Sequence, residues 1–234
     1  MRYYPMFMDL TGARCLVVGA GRVGRRKLAA LLACGPAFVL VLDPSREALC
    51  LAQAMPRPEG CELRCEAREF LPSDVTDMRL VFASTPSARV NSAVAQVCRT
   101  CGIPCNTAGP LEDAKGSFLV PSRVDVGPLT LALSTGGASP ALTKALREDL
   151  ESWLDKGYPL LISLLEALRP RVLALGLGSD ADASVFRAIC ANPLRTQLME
   201  ALSRGDSSLA DSLLRPVLPA GMIFSSKEIL HGMD

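Results

Sequence analysis

Residues 14–24 of this chain are Arg-Cys-Leu-Val-Val-Gly-Ala-Gly-Arg-Val-Gly, and they decide its fold. The apolar, β-branched start of the stretch is typical of a buried parallel strand. Its glycine-rich end is followed by residues 25–32, where nearly every residue favours a helix. A strand, a glycine turn and a helix in this order predict a dinucleotide-binding motif.

The residues of this turn have separate roles in that interpretation. Gly19 permits the tight turn, Gly21 lets the backbone approach a pyrophosphate, and Gly24 brings the helix close to the strand. Arg22 and Val23 begin the helix, where unpaired N–H groups face the phosphates. The alternative is a structural turn, because glycine-rich connections also occur without a ligand.

A second apolar run, residues 37–42, ends at Asp43, nineteen residues after the turn. A carboxylate at this place accepts hydrogen bonds from a ribose 2′-OH and repels a 2′-phosphate, so it predicts NAD over NADP. Pro44 belongs to the same predicted cofactor site, although Asp43 could also be a plain turn residue before this proline. Arg22 and Arg25 keep NADP open, since an arginine near the turn can meet a 2′-phosphate.

Two further candidate strands follow, at residues 80–83 and 103–106. The first ends at Ser84 and Thr85, which we assign to cofactor binding, and the second ends at Asn106. The alternation of strands and helices predicts a parallel sheet with helices on both faces, the Rossmann-type architecture. Ligands bind such sheets outside the carboxyl ends of the strands.

After Asn106 the pattern changes to two extended runs, residues 117–124 and 128–134, which predict a β-hairpin. Its apolar positions are too many for a small two-stranded element to bury alone, so we expect a homodimer. Residues 134–140, Ser-Thr-Gly-Gly-Ala-Ser-Pro, then lead into a helix, with Ser139 as N-cap and Pro140 in the first turn. This turn is either a second anion site or an ordinary helix cap.

The rest of the chain is predicted to be helical. Leu142, Leu146, Leu150 and Leu154 are spaced by four and mark one apolar stripe. Leucine-rich stretches continue from about residue 156 to the end, with breaks at residues 157–159, 176–179 and 216–221.

Composition excludes several classes of protein. With 49% hydrophobic and 21% charged residues in a chain of 234, disorder is excluded, and the net charge of +1 provides no field for nucleic acid or an anionic membrane. No apolar run reaches the roughly 20 residues of a bilayer span, and we expect a cytoplasmic protein. His231 is the one histidine, which argues against Ser-His-Asp hydrolysis and histidine-rich zinc catalysis.

The nine cysteines are an odd number scattered through apolar segments, which favours reduced thiols. Cys98, Cys101 and Cys105, with Cys61 and Cys65 upstream, invite an iron-sulfur or zinc interpretation. The predicted elements point these ligands apart, so we expect no metal.

Together these residues resemble the precorrin-2 dehydrogenase family, the NAD-dependent enzymes of sirohaem and cobalamin synthesis that also form the N-terminal part of sirohaem synthases. The resemblance covers about residues 4–155. It lies in residues 4–10, 15–27, 83–85, 90–91 and 105–106, and most specifically in residues 117–121 and 127–140.

The resemblance implies a homodimer with three parts. These are an NAD-binding Rossmann domain at residues 1–115, a dimerisation region at 116–152 and a helical domain at 153–234. The implied reaction oxidises precorrin-2 to sirohydrochlorin with NAD as hydride acceptor, and some members also insert ferrous iron. The residues expected to bind this polycarboxylate substrate are Asn106, Arg123, Thr135, Gly136, Lys144 and Arg147, the three cations gaining carboxylate partners that the chain itself does not supply.

The chain departs from the family at one place. Typical members have Asn-Val-Val-Asp after the fourth strand, and that aspartate is implicated in dehydrogenation and chelation, whereas this chain has glycine at position 109. Either Asp113 or Glu112 takes the acid-base role, with Asp113 our candidate, or hydride transfer proceeds mainly by orientation. We therefore expect a dehydrogenase with weak or no iron insertion. The alternative from another class is a non-catalytic NAD-binding or tetrapyrrole-sensing module.

Overall fold

The protein is described by a computed structural model that covers residues 3–109, 116–154 and 157–227. The chain divides into two compact units, Met1–Val120 and Pro121–Asp234. The finer expected boundaries, at residues 116 and 153, stay predictions.

The first unit contains a five-stranded sheet in the order β3-β2-β1-β4-β5, with all pairs parallel. The strands are β1 Arg14–Val18, β2 Phe38–Leu42, β3 Glu62–Glu66, β4 Leu80–Ala83 and β5 Cys105–Thr107. The predicted parallel sheet is confirmed. β5 is shorter than the predicted run and begins one residue after Pro104, which has no N–H for a ladder bond.

One strand of the sheet was not foreseen. β3 alternates charged and apolar residues, and Leu63 is its buried side chain on the edge of the sheet. Continuous apolar runs indicate central parallel strands, whereas an edge strand with period-two alternation contains no such run.

Helices cover both faces of this sheet, as predicted. They are α1 Arg22–Leu32, α2 Arg46–Gln53 and α3 Ala88–Thr100, and a short 3-10 helix spans Pro72–Val75. Alternate residues of β1 serve the two faces: Val17 packs with Leu28 of α1, while Leu16 packs with Val94 of α3. Burial on both faces explains why β1 and β2 are almost wholly apolar.

The second unit opens with an antiparallel hairpin, which confirms that prediction. β6 is Ser122–Val126 and β7 is Leu129–Leu133, joined at Gly127, whose φ of 57° is in the left-handed region. The first strand is shorter than the predicted run from residue 117. The hairpin is followed by α4 Pro140–Trp153, α5 Gly157–Leu173, α6 Ser179–Cys190, α7 Leu194–Ser203 and α8 Ser207–Leu214.

The helices of this unit differ in how much they bury. α5, α6, α7 and α8 share a core of leucines that includes Leu164, Leu168, Leu198 and Leu214. In contrast, α4 has no buried residue. Of the predicted stripe, Leu142 is 52% and Leu146 40% exposed, Leu150 is half-buried, and Leu154, just past the helix, is buried. Within the described ranges, no helix combines the length and the apolar character that crossing a membrane requires.

Candidate functional site

The candidate site lies where the direction of the sheet connections reverses. β1 lies between β2 and β4, so the chain leaves β1 through α1 to one side, and β4 returns on the other side. In open parallel sheets this reversal leaves a crevice outside the carboxyl ends of the two strands. The glycine turn follows β1, and Ser84 follows β4, at this same crevice.

Packing requires two glycines of the turn. Gly19 has a φ of 97°, and a Cβ there would lie 2.7 Å from the backbone carbonyl carbon and oxygen of Ser84. A Cβ on Gly24 would lie 1.8 Å from the carbonyl oxygen of Gly19. By contrast, a Cβ on Gly21 would meet nothing within 4 Å, so the backbone there is open to a ligand.

The N-terminus of α1 is uncapped at this turn. Gly21 is its N-cap residue and offers no side chain, and the first turn of the helix contains no acidic residue. Arg25 Nη1 donates a hydrogen bond of 2.8 Å to the Ala20 carbonyl. The first N–H groups of α1, at Arg22 and Val23, therefore have no capping side chain and present a positive helix end to an anion.

Asp43 connects the end of β2 to the glycine turn. Its Oδ2 accepts a hydrogen bond of 2.7 Å from the Ala20 N–H, and its Oδ1 accepts one of 2.8 Å from the Ser45 N–H, on the far side of Pro44. A carboxylate has about four lone-pair positions, so two remain for the hydroxyls of a ribose. The residue was foreseen from its position, but its bond to the turn was not.

The end of β4 contains a buried hydroxyl without a partner. Ser84 is 7% exposed, and among the described residues nothing hydrogen-bonds its Oγ. Buried polar atoms are normally paired, so an orphan of this kind at a crevice indicates a missing ligand group or water. With the open Gly21 and the uncapped α1, the residues present fit a bound dinucleotide.

Asn91 of α3 holds the ends of β4 and β5 together. Its Oδ1 accepts hydrogen bonds from the N–H of Thr85 at 3.1 Å and from Thr85 Oγ1 at 2.8 Å, and its Nδ2 donates to the carbonyls of Thr85 and Ala108. The site residues predicted from the sequence did not include Asn91. A polar residue within the apolar pattern around Val90 and Val94 was the signal that could have identified it.

Asn106 faces the returning chain on the outer side of β5. Its Nδ2 donates a hydrogen bond of 2.9 Å to the Phe118 carbonyl, and the Phe118 ring lies edge-on to Phe82 at 5.8 Å between centroids. Glu112 and Asp113, the predicted acid-base candidates, lie outside the described residues.

The turn before α4 satisfies its own polar groups. Ser139 caps the helix as predicted, accepting a hydrogen bond of 3.1 Å from the Leu142 N–H. Thr135 Oγ1 accepts from the Ser139 N–H and lies 3.2 Å from Thr143 Oγ1. Gly136, with a φ of 66°, has open space where a Cβ would be.

The three predicted substrate-binding cations already have carboxylate partners, so the expectation that they lack partners within the chain is wrong. Arg123 pairs with Asp125, Lys144 lies 3.6 Å from Glu148, and Arg147 pairs with Glu151. These pairs are at the surface, where ion pairs are weak and a polyanionic ligand can exchange with them.

Two of the cysteines form a buried pair in the first unit. Cys98 of α3 and Cys105 of β5 are 0% and 2% exposed. A hydrogen bond from the Cys105 thiol lowers the pKa of Cys98, and the same bond, with burial, raises the pKa of Cys105. Across the described parts of the chain, no group of three or more His, Cys, Asp and Glu side chains is placed to hold a metal ion.

Comparison with known proteins matches both units. Residues 6–122 match the family described as putative NAD(P)-binding, and residues 126–152 match the family described as sirohaem biosynthesis protein central. A siroheme synthase of Methylococcus capsulatus is 37% identical over 74% of this chain and 35% of its own length. A siroheme synthase of Chromobacterium violaceum is 32% identical over 94% of this chain and 45% of its own length. The chain thus spans less than half the length of these two relatives.

One solved structure corresponds to the chain along nearly its whole length. SirC, a precorrin-2 dehydrogenase, superposes with a TM-score of 0.69 and 26% identity, covering 92% of this chain and 98% of that one. The glycine turn, the hairpin and the helical region therefore occur together in a fold that is already known. A nicotinamide cofactor is the ligand class that the match to an NAD(P)-binding family assigns to the first unit.

Proposed function

Because the chain belongs to the family described as putative NAD(P)-binding and also matches the family described as sirohaem biosynthesis protein central, we propose that it is a precorrin-2 dehydrogenase, which oxidises precorrin-2 to sirohydrochlorin. The observation that carries this proposal is the open, uncapped glycine turn beside the unpartnered Ser84 hydroxyl, in a chain of which 92% superposes on a precorrin-2 dehydrogenase.

The chain's own residues bind and orient in this proposal. When bound, the nicotinamide cofactor supplies the hydride acceptor. The N–H groups at the start of α1 and the open backbone of Gly21 hold the pyrophosphate. Ser84 and Thr85 line the crevice beside it, and the Asn91 hydrogen bonds fix their backbone.

For the cofactor we propose NAD over NADP. Two lone-pair positions of Asp43 remain for the ribose hydroxyls, and its negative charge opposes a 2′-phosphate. The guanidinium of Arg25 donates a hydrogen bond to the Ala20 carbonyl, so one of its N–H groups is already used within the turn. Pro44 and Arg22 complete the proposed cofactor residues.

The proposed substrate residues are those that the family resemblance implies. From the first unit this is Asn106, held by its bond to Phe118. From the second unit we assign Arg123, Thr135, Gly136, Lys144 and Arg147. The proton that leaves with the hydride is assigned to Asp113, with Glu112 as the alternative, and Gly109 cannot take this role because it has no side chain.

The test is anaerobic incubation with precorrin-2 and NAD, following the absorbance of NADH and of sirohydrochlorin. Turnover supports the dehydrogenase, whereas bound NAD without turnover would favour the tetrapyrrole-sensing alternative. Replacing Asp113 with Ala should lower kcat more than NAD affinity, and an unchanged kcat would move the role away from Asp113. Adding ferrous iron to sirohydrochlorin should give sirohaem only weakly or not at all above the uncatalysed rate, because glycine replaces the aspartate implicated in chelation.

A homodimer is the proposed assembly. In the described residues α4 buries none of its side chains, and Leu142 and Leu146 are largely exposed. Exposed leucines on one face of a helix gain stability when a second copy of the chain covers them.

A further inference from the structure

Lys27 is a half-buried cation on the sheet-facing side of α1. Its helical neighbours Gly24, Leu28 and Leu31 are buried against the sheet, and Lys27 lies at the margin of this face. Side chains of a helix tilt toward its N-terminus, so the Lys27 side chain extends toward the carboxyl edge of the sheet. Its Nζ lies 5.5 Å from the ring centroid of Phe82.

Among the described residues, no carboxylate forms an ion pair with the ammonium group. The ion pairs found there are formed by four arginines and by Lys144. Burial, and to a smaller extent the charge of Arg26, lowers the pKa of Lys27 to about 8. Phe82 offers a cation–π contact, which compensates only part of such a loss of hydration. A half-buried cation without a carboxylate partner among the described residues favours the binding of an anion.

Lys27 is at the end of the crevice away from Asp43. The sheet order places Asp43 after β2, the glycine turn after β1, and Phe82 near the end of β4. Phe82 is opposite Asn106 of β5 in the strand register. A dinucleotide with its adenosine ribose at Asp43 and its pyrophosphate at Gly21 extends its reactive end toward β4 and β5.

We infer that Lys27 is a specificity-determining residue whose ammonium group pairs with a carboxylate of the tetrapyrrole substrate at this reactive end. The inference rests on the proposed function, which supplies a polycarboxylate substrate. The cofactor is the weaker candidate for the anion, because its pyrophosphate is held at the start of α1 and its oxidised nicotinamide ring is itself cationic.

Three variants test this pairing with the intact protein. Lys27→Met should raise KM for precorrin-2 about tenfold, the loss expected for one charge-assisted hydrogen bond, with kcat within about twofold of wild type. Lys27→Arg keeps the charge and should restore most of the KM. Arg26→Met removes an exposed cation next to Lys27 and should leave KM within about twofold. The dissociation constant for NADH should be the same in all three.

Several results would overturn the inference. An unchanged KM in Lys27→Met, with an active wild type, removes Lys27 from substrate binding while the dehydrogenase stands. Weaker NADH binding in Lys27→Met assigns the cation to the cofactor.

If the wild type does not turn over precorrin-2, the proposed function fails. Spectral titration with sirohydrochlorin then tests the pairing alone, and Lys27→Met is expected to bind it about tenfold more weakly than the wild type. A wild type that does not bind sirohydrochlorin contradicts both. Lys27→Gln, with a melting curve, separates a folding defect from a binding defect.

Discussion

At the residue scale, two glycines of one turn are required for different reasons. Gly24 has no room for a side chain, because a Cβ would overlap the carbonyl oxygen of Gly19 at 1.8 Å. Gly21 has room, because a Cβ would meet no protein atom within 4 Å. Gly24 therefore serves the fold, whereas Gly21 is proposed to serve the approach of a ligand.

This difference predicts that one of two matched substitutions lowers stability and that the other weakens cofactor binding. Gly24→Ala should lower the free energy of unfolding by about 2 kcal/mol or more, because backbone atoms must move apart. Gly21→Ala should change stability by less than about 1 kcal/mol but weaken NAD binding at least about tenfold. Urea unfolding and cofactor titration measure the two quantities. Equal losses of stability in both variants would contradict the assignment.

We propose that Asp43 determines which cofactor is preferred. Titration of the wild type should show tighter binding of NAD than of NADP. Asp43→Asn should shift the ratio of the two dissociation constants toward NADP, because the repulsion of a 2′-phosphate disappears. The substitution also removes a carboxylate oxygen that accepts a hydrogen bond from the Ala20 or Ser45 N–H, which weakens the binding of both cofactors. The ratio of the two dissociation constants is therefore the quantity to measure, because this common effect cancels in it. Equal or tighter NADP binding by the wild type would remove Asp43 from this role.

Lys27 makes stability depend on pH. Its pKa is lowered in the folded chain from 10.5 to about 8, so between these values the unfolded chain binds more protons than the folded chain. The free energy of unfolding therefore rises with pH across this interval. The pKa of Cys15, raised by burial to about 12, acts in the opposite direction, so the difference between wild type and Lys27→Met isolates the lysine. A difference that is flat from pH 7 to pH 10 would contradict an uncompensated burial of Lys27.

At the element scale, the sequence predicts those elements whose neighbours are close along the chain. The strand, turn and helix around Gly19 could be predicted because packing and ligand approach both demand glycine at fixed spacing. β3 could not, because an edge strand with charged alternate residues lacks the apolar run of a central strand. Asn91 and Lys27 were not predicted as site residues for a related reason. The burial of a polar residue on a helix depends on the side chains of the sheet against which the helix packs.

The hydrogen bonds of Asn91 predict that the stability of the ends of β4 and β5 depends on α3. Asn91→Ala should lower the free energy of unfolding by about 2–3 kcal/mol, because it leaves buried groups of Thr85 and Ala108 unpaired. Gln96→Ala, on the exposed side of the same helix, should stay within about 0.5 kcal/mol. Urea unfolding compares them, and a stable Asn91→Ala would show that water replaces these bonds.

At the scale of the whole molecule, the two units differ in how fully they bury their apolar side chains. The first unit has a core on both faces of its sheet, including Val17 and Val81 at 0% exposure. In the second unit, the helices after residue 157 share a core, whereas α4 buries no side chain. The sequence predicted the leucine stripe of α4 but not that Leu142 and Leu146 would stay exposed within one chain.

The exposed stripe predicts a dimer in solution at micromolar concentration. Leu146→Glu should produce monomers, because it places a charge in the apolar contact. Leu209→Glu is the matched control, since Leu209 of α8 is 41% exposed and Leu146 is 40% exposed, and it should remain dimeric. Sedimentation velocity measures all three proteins, and a monomeric wild type would contradict the proposed assembly.

The central claim is that the crevice at the glycine turn binds NAD for the oxidation of precorrin-2. The most direct measurement is an anaerobic reaction of the purified protein with both compounds, quantifying NADH and sirohydrochlorin together. The expected result is formation of the two products in equal amounts, strongly reduced by Gly21→Ala at subsaturating NAD. NAD that binds without forming either product would contradict the claim.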